Sequence, residues 1–343
     1  MKPTAVVTHW VHPEVMEMLG RVCKTVPNNT RETLSPSKLL KLAKEAEALM
    51  IFMPDKVDEE FLAACPKLKI ISSTLKSPKN VDVEACTKRG VWVTVVPDLR
   101  TIPAAELTVG LLIGLARSMH EGDKIIREGK FSGWRADLYG TGLAGHTLGI
   151  IGMGGVGQEV AKRLAGFDMR VIYCDPNPLS RDREYAYKLK RVSKEELLSE
   201  SDFVILSVAR LPETAHMINK NSLAAMKPDS YLINTSHGGV VDEQAVAEAL
   251  EAGRLGGYAA DVFEMEGAKE TPDTPRVIPT SLLENLQKTF FTPHLGSAVD
   301  DTRREIALEA ARNILQFYNA ERPKGAINQP ESGYGVLMGE QFF

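Results

Sequence analysis

The feature that most restricts how this chain can fold is a set of short runs that are apolar at nearly every position rather than at every second one. TAVVTH (4–9), ALMIFM (48–53), LKIISST (68–74) and VWVTVV (91–96) come first, separated by the amphipathic segments PEVMEMLG, SPSKLLKLAKEA and VDEEFLAAC. A strand with one wet face alternates; a strand that is apolar throughout must be covered on both faces, as in a parallel sheet between two helix layers. Pro97 ends this first series, and a long helical stretch over 103–129 follows. The pattern resumes with HTLGIIG (146–152), MRVIYCD (169–175), FVILSV (203–208), YLINTS (231–236), GYAADVF (257–263) and KTFFTPH (288–294), before a last helical segment at 300–321. The expected architecture is α/β with two doubly wound units, and 343 residues are too many for one ordinary core.

Composition narrows the function classes. A net charge of −4 offers no basic surface for nucleic acid or for an anionic membrane. Four scattered cysteines without a C-x-x-C pair fit a reduced compartment with buried thiols, and no metal site is expected. The first residues carry no long apolar segment of the kind a secretory signal needs, so a cytoplasmic location is the expectation. The longest apolar run, LTVGLLIGLA (107–116), is too short to span a bilayer and suits a helix covered on most sides, against another subunit for example. The end of the chain, 329–343, reads as an aperiodic surface tail.

Between the first strand of the second series and its helix stands Gly152-x-Gly154-x-x-Gly157. Gly152 permits a tight turn, Gly154 lets backbone N–H groups approach a pyrophosphate at the helix N-terminus, and Gly157 lets helix and strand pack closely. The following strand ends in Asp175, 18 residues after Gly157, where an acid binds ribose hydroxyls and repels a 2′-phosphate. NAD is therefore the expected cofactor, with Arg181 and Arg183 nearby pulling against the preference over NADP.

Three later strands end in polar residues next to glycine or proline: NTSHGGVVDE (234–243), AADVFEME (259–266) and FFTPHLGSA (290–298). His294 lies on a loop between Pro293 and Gly296 and can exchange a proton near neutral pH. Glu266 is the candidate carboxylate to fix its tautomer and stabilise its protonated form. His237 stands where strand gives way to loop, the edge at which α/β enzymes place reacting groups, and Asp242 is the expected cap of the helix that follows.

These stretches, with MIFMPDKVDEEFLAACPKLK, RGVWVTVVPDL, GWRADLYGTGL, GGYAADVFEME and FTPHLGSAV, resemble the D-2-hydroxyacid dehydrogenase superfamily over about residues 1–328, and within it most nearly the phosphite (phosphonate) dehydrogenases. The resemblance implies two Rossmann-like domains with a cleft between them: a substrate domain of residues 1–98 plus 298–328, with the final helix crossing back to it, and an NAD domain of 99–297. It implies a homodimer through the helix containing 103–119 and a small anionic substrate. It makes His294 the general base and Glu266 its partner, and brings Lys76 to the substrate anion. It assigns Met53, Trp134, Tyr139, Ser297 and Arg303 to the lining of the site, and Val156 and Asp261, with the glycine loop, to the cofactor. The implied reaction is oxidation of phosphite or a small phosphonate by hydride transfer to NAD. The alternative is an NAD-dependent D-2-hydroxyacid dehydrogenase or 2-ketoacid reductase, and a catalytically silent NAD-binding sensor is a third possibility.

Two departures from the family pattern stand out. Where the family has an arginine that forks onto the substrate anion, this chain has His237, and an imidazole is neither permanently charged nor bidentate. The substrate loop reads LKSPKN, with Pro78 lacking an N–H and Lys79 in place of an acid. The expectation is that the changes are coupled, with Lys76 and Lys79 holding the anion; Arg100 and Arg135 are further candidates for the missing guanidinium.

Overall fold

The computed structural model of the protein describes residues 2–267 and 277–331. It divides into two compact units, one of residues 2–99 with 300–331 and one of 100–267 with 277–299.

The first unit holds strands β1 (Thr4–Val7), β2 (Lys24–Pro27), β3 (Ala48–Ile51), β4 (Ile70–Ser73) and β5 (Trp92–Thr94) in one sheet of order β2-β1-β3-β4-β5. Every pairing is parallel. The runs that are apolar throughout become the central strands: all four residues of β3 and of β4 are buried. Asp58 and Asp82 cap the helices that follow them, accepting from the N–H of Phe61 at 3.0 Å and of Ala85 at 2.9 Å. One face of the sheet is covered by the helix Asp300–Tyr318, whose Ile306, Ala310, Ile314 and Phe317 pack with Val7, Met50, Ile70 and Trp92. The Ser72 hydroxyl donates to the Ala310 carbonyl at 2.8 Å, a buried bond that fixes the helix on the sheet. Residues beyond the helix run beside β5, where Asn328 Oδ1 accepts from the Val93 N–H at 2.8 Å.

The second unit holds β6 (Thr147–Ile151), β7 (Arg170–Cys174), β8 (Leu189–Arg191), β9 (Phe203–Leu206), β10 (Tyr231–Asn234), β11 (Gly257–Ala260) and β12 (Thr289–Phe291). Their order is β12-β11-β10-β9-β6-β7-β8, again all parallel. The chain leaves β6 toward β7 on one side and returns to β9 on the other, so the order reverses between β6 and β9. In open parallel sheets, ligands bind beyond the carboxyl ends of strands at such a switch point. The hydrophobic residues form one cluster on each face of the sheet.

Two details differ from the sequence expectation. β2 and β8 are additional strands; both lie toward a sheet edge, are short, and carry partly exposed residues that break the apolar signature. The helix expected over 103–129 is two helices, Thr101–Ala116 and Met119–Arg127, bent by 67°. The break occurs because the chain crosses back over the first helix: the Thr141 N–H takes the Ala116 carbonyl at 2.8 Å, and Ser118 turns into the left-handed region at φ 48°. Among the described residues no single helix is long and apolar enough to cross a membrane, although this bent pair passes such a test together. The tail at 329–343 lies outside the described residues from 332 onward.

Truncating Ile314, which is fully buried against the first sheet, to alanine is expected to destabilise that unit by about 2–4 kcal/mol, read as a lower urea midpoint. An unchanged midpoint would show that this helix is not part of the cooperative core.

Candidate functional site

The glycine loop, Asp175, His237, Asp261, Glu266 and His294 all lie at the carboxyl ends of strands of the second unit or in the connections that leave them. The loop after β6 runs through Gly152 at φ 93°, where a Cβ would meet the Ser207 carbonyl oxygen at 2.3 Å, so only glycine is accommodated. A Cβ on Gly157 would meet the Gly152 oxygen at 2.3 Å, which is the close helix–strand approach expected of the third glycine. Gly154 caps the helix Gly155–Leu164, is exposed, and has nothing within 4 Å of where its Cβ would be. Backbone N–H groups from there to Val156 are therefore open to an incoming phosphate, and the positive end of the helix favours one. Asp175 closes the loop from the end of β7: its Oδ2 accepts from the Met153 N–H and its Oδ1 from the Asn177 N–H, both at 2.7 Å. The residues present fit a dinucleotide.

After β12, the chain bends at His294, whose backbone lies in the left-handed region at φ 56°. A non-glycine residue there costs roughly 1 kcal/mol or more, so its surroundings must over-determine the bend. Asp261, buried at the end of β11, does so. Its Oδ1 accepts from the Thr292 hydroxyl and the Leu295 N–H, both at 2.6 Å, and its Oδ2 accepts from the Gly296 N–H at 2.8 Å. The Asp261 carbonyl accepts from the His294 N–H at 2.9 Å. So placed, the His294 ring donates from Nδ1 to Glu266 Oε2 at 2.5 Å, and Glu266 Oε1 accepts from the Phe263 N–H at 2.7 Å. Burial by itself would raise the Glu266 carboxyl, but the hydrogen bonds from His294 and Phe263 outweigh it and hold the group below the usual carboxylate range. An ionised carboxylate only accepts, so Nδ1 carries the proton and Nε2 is the nitrogen left for proton exchange.

His237 caps a single 3₁₀ turn, Gly238–Val240, and its Nδ1 accepts from the Gly239 N–H at 3.2 Å. The turn presses so closely on the Glu266 segment that a Cβ on Gly238 would fall 1.9 Å from the Phe263 carbonyl carbon. His237 therefore lies in the turn packed directly on the segment that carries Glu266, and its charge state bears on that carboxylate. Asp242 caps the next helix through the Ala245 N–H at 3.0 Å.

The remaining candidates lie apart from this cluster or on the other unit. Trp134 and Tyr139, in the stretch between the helix Met119–Arg127 and β6, are 84% and 77% exposed. Arg135 beside them bonds Ser132, and Arg100 stands at the N-terminus of the helix Thr101–Ala116. Ser297 is half-buried three residues beyond His294. On the first unit, Lys76 pairs with Asp98 at 2.6 Å, Met53 and Lys79 are exposed, Pro78 is buried, and Asn80 Nδ2 donates to the Phe52 carbonyl at 3.1 Å. Arg303 is exposed on the helix Asp300–Tyr318.

The family model for the D-isomer specific 2-hydroxyacid dehydrogenase, NAD binding domain, matches residues 109–296. The glyoxylate reductase of Thermococcus litoralis is 36% identical over 334 residues, covering 96% of this chain and 98% of that one. This chain belongs to the D-isomer specific 2-hydroxyacid dehydrogenase family. Solved structures similar to this dehydrogenase include a glyoxylate reductase from Paecilomyes thermophila, with a TM-score of 0.76 at 27% identity over 95% of this chain and 98% of that one. Another is the D-lactate dehydrogenase of Aquifex aeolicus complexed with NAD and lactic acid, with a TM-score of 0.76 at 28% identity over 95% and 99% of the two chains. The fold is the family's pair of parallel α/β domains, and the cofactor of this dehydrogenase is NAD. The nearer likeness to phosphite dehydrogenases finds no support in the relatives described: glyoxylate reductases of Thermococcus litoralis, Thermofilum pendens and Pyrococcus furiosus match over 96% of the chain.

Sequence reasoning passed over a second layer beneath the site. Glu243 and Glu264, 1% and 6% exposed, exchange backbone contacts: the Glu264 N–H donates to Glu243 Oε1 at 2.8 Å and the Glu243 N–H to Glu264 Oε2 at 3.2 Å. His216 Nε2 bonds the other oxygen of Glu264. Burial pushes the Glu243 carboxyl up to about 7; the Glu264 N–H works against this, and the charges of Glu264 and Glu266 add to it. The available signal was the acid-rich pair VVDE and VFEME at neighbouring strand ends, but nothing in the spacing says that these two glutamates are the buried ones.

Two measurements follow. A carboxyl raised in the folded state contributes stability that is full below its unfolded pKa and is lost as pH rises through the folded value of about 7. Glu243→Gln removes that loss, so its Tm relative to the parent is expected to climb between pH 5 and pH 8, by the equivalent of at most about 3 kcal/mol. A pH-independent difference would exclude the buried ionisation. Asp261→Ala, which frees the His294 loop, is expected to cost on the order of 2–4 kcal/mol in denaturant unfolding, since each lost bond is to a buried charge.

Proposed function

We propose that this dehydrogenase reduces a small 2-oxoacid, glyoxylate or a close homologue, to the D-2-hydroxyacid with NADH, and runs the reverse oxidation when the hydroxyacid is in excess. The observation that carries the proposal is the His294–Glu266 pair at 2.5 Å on a loop whose backbone is held in a strained bend at the carboxyl edge of the NAD-binding sheet. The names of the relatives supply the substrate class.

When bound, the nicotinamide cofactor supplies hydride chemistry; the backbone from Gly154 to Val156 would hold its pyrophosphate, Asp175 its ribose, and Asp261, through the loop it shapes, the neighbourhood of the ring. His294 hands the proton on Nε2 to the carbonyl oxygen of the oxoacid as that oxygen gains negative charge. In the reverse direction the same nitrogen takes the hydroxyl proton. Glu266 stabilises the imidazolium, so the ring holds the proton until the substrate requires it. Ser297, three residues beyond His294, borders the site.

Loss of absorbance at 340 nm with NADH and glyoxylate, compared with pyruvate and hydroxypyruvate, tests the substrate class. Phosphite with NAD is the control for the narrower resemblance carried by GWRADLYGTGL. His294→Asn is expected to abolish turnover. Glu266→Gln is expected to lower kcat on the order of 10²- to 10⁴-fold, with the pH profile of the histidine displaced to lower pH because the stabilising charge is gone. NADH binding with no oxoacid turned over in the parent protein would overturn the proposal in favour of a nucleotide sensor.

Large apolar side chains exposed along 102–139, among them Ile102, Met119, Ile126, Phe131 and Trp134, support association of two copies through this region. Light scattering is expected to give twice the 37.7 kDa of one chain, and Ile126→Glu to shift the equilibrium toward monomer.

A further inference from the structure

We infer that Arg210, in the loop that leaves β9, supplies the guanidinium that grips the substrate carboxylate beside His237. The inference rests on the 2-oxoacid reduction proposed above and adds a residue to its substrate site.

The carboxyl ends of β9 and β10 are neighbours in the sheet, and β9 is one of the two strands flanking the switch point. From the first of these ends Arg210 lays its side chain across the turn that follows the second. A Cβ built on Gly239 would lie 3.1 Å from Arg210 Nε, 3.5 Å from Cζ and 3.6 Å from Cδ. The head of the side chain, and not only its stem, therefore lies against this turn, and the absence of a side chain at 239 makes the room for it. Gly239 is also the residue to which His237 is tied, through the 3.2 Å bond from its N–H to Nδ1. The loop carrying Arg210 is pinned to the same residue, because the His216 N–H donates to the Gly239 carbonyl at 3.0 Å. One residue, Gly239, thus touches both side chains.

Electrostatics gives the juxtaposition its purpose. A His237 ring that accepts at Nδ1 has only Nε2 left to donate, and cannot meet the two oxygens of a carboxylate in parallel. Glu266 is held ionised by His294, and Glu243 and Glu264 lie buried on the segments behind it. An oxoacid anion entering this acidic surrounding needs a permanent, planar cation, and a guanidinium can meet its two oxygens with parallel N–H donors. Arg210 brings that group to the turn from the neighbouring strand end, in place of one carried by the turn itself. It is a substrate-binding and specificity-determining residue, with His237 left as an Nε2–H donor at its side.

The test is steady-state kinetics on Arg210→Gln, Arg210→Lys and the double variant Arg210→Gln/His237→Arg, with separate KM values for glyoxylate and NADH. Arg210→Gln is expected to raise the glyoxylate KM by about 30-fold or more, the effect of leaving a carboxylate without its charged partner, with the NADH KM within about twofold of the parent. Arg210→Lys is expected to recover part of the loss, and the double variant to recover more than half of it on a logarithmic scale, because a guanidinium returns to the same place from β10. A raised NADH KM with an unchanged glyoxylate KM would mean that Arg210 serves a cofactor phosphate, and no change in either would mean a surface arginine; each result overturns the inference. Oxalate, a non-reacting dicarboxylate, supplies a second readout: its stabilisation of the NADH-loaded protein in a thermal melt is expected to disappear in Arg210→Gln. Failure of the reaction assignment is distinguishable, since it appears as silence of the parent enzyme toward every oxoacid, whereas failure of the Arg210 assignment appears as unaltered variants of an active parent.

Discussion

The constraint from which the rest of the second unit follows is that all seven of its strands are parallel. Parallel pairing places every carboxyl end at one edge, so residues separated by more than a hundred positions, from Gly152 to His294, emerge along the same edge. It also buries the strands on both faces, leaving the connections at that edge as the places where polar groups can gather without breaking the core. The glycine loop, the His237 turn, the Glu266 segment and the His294 loop are four such connections. Gly238, with no room for a Cβ, lets the His237 turn close on the Glu266 segment, and Gly152 lets the glycine loop close on the end of β9.

Within that edge, a buried carboxylate controls an exposed histidine. Asp261 orders the bend at His294 through three hydrogen bonds to its carboxylate, and the bend delivers the ring to Glu266. The hierarchy runs from the core outward: a strand end holds a loop, the loop holds an imidazole, and a second carboxylate sets which nitrogen carries the proton. Glu243 and Glu264 extend the acidic layer behind the His294–Glu266 pair, and the burial that pushes Glu243 up to about 7 keeps that layer from accumulating full charge at neutral pH. An acidic layer of this kind favours a protonated imidazole at its edge, and it demands compensation wherever an anion must enter. Arg210 over Gly239 answers that demand.

Much of this was legible in the residue order. The runs that are apolar throughout announced buried parallel strands; Gly152, Gly154, Gly157 and Asp175 announced a dinucleotide loop by their spacing between a strand and a helix; and the polar residues beside glycine or proline at later strand ends announced His294 and Glu266. β2 and β8 escaped because edge strands are half wet and lose the apolar pattern. The break between Ala116 and Met119 escaped because its cause is a backbone bond from Thr141, which local periodicity cannot see. For a related reason the main substrate reading, phosphite, fits less well than its alternative, a D-2-hydroxyacid dehydrogenase or 2-ketoacid reductase. The stretch around Trp134 resembles that of phosphite dehydrogenases, yet a local likeness weighs less than agreement over 334 residues with a glyoxylate reductase.

The chain alone was enough to establish the class of fold and the dinucleotide, because each rests on contacts between residues near in sequence or on a period that repeats along it. The order of the strands, the Asp261 bonds that bend the His294 loop, the burial of Glu243 and the passage of Arg210 over Gly239 emerged only on folding. They depend on which strand ends become neighbours and on the space left between two peptides, and both are properties of three-dimensional packing that no interval in the sequence encodes.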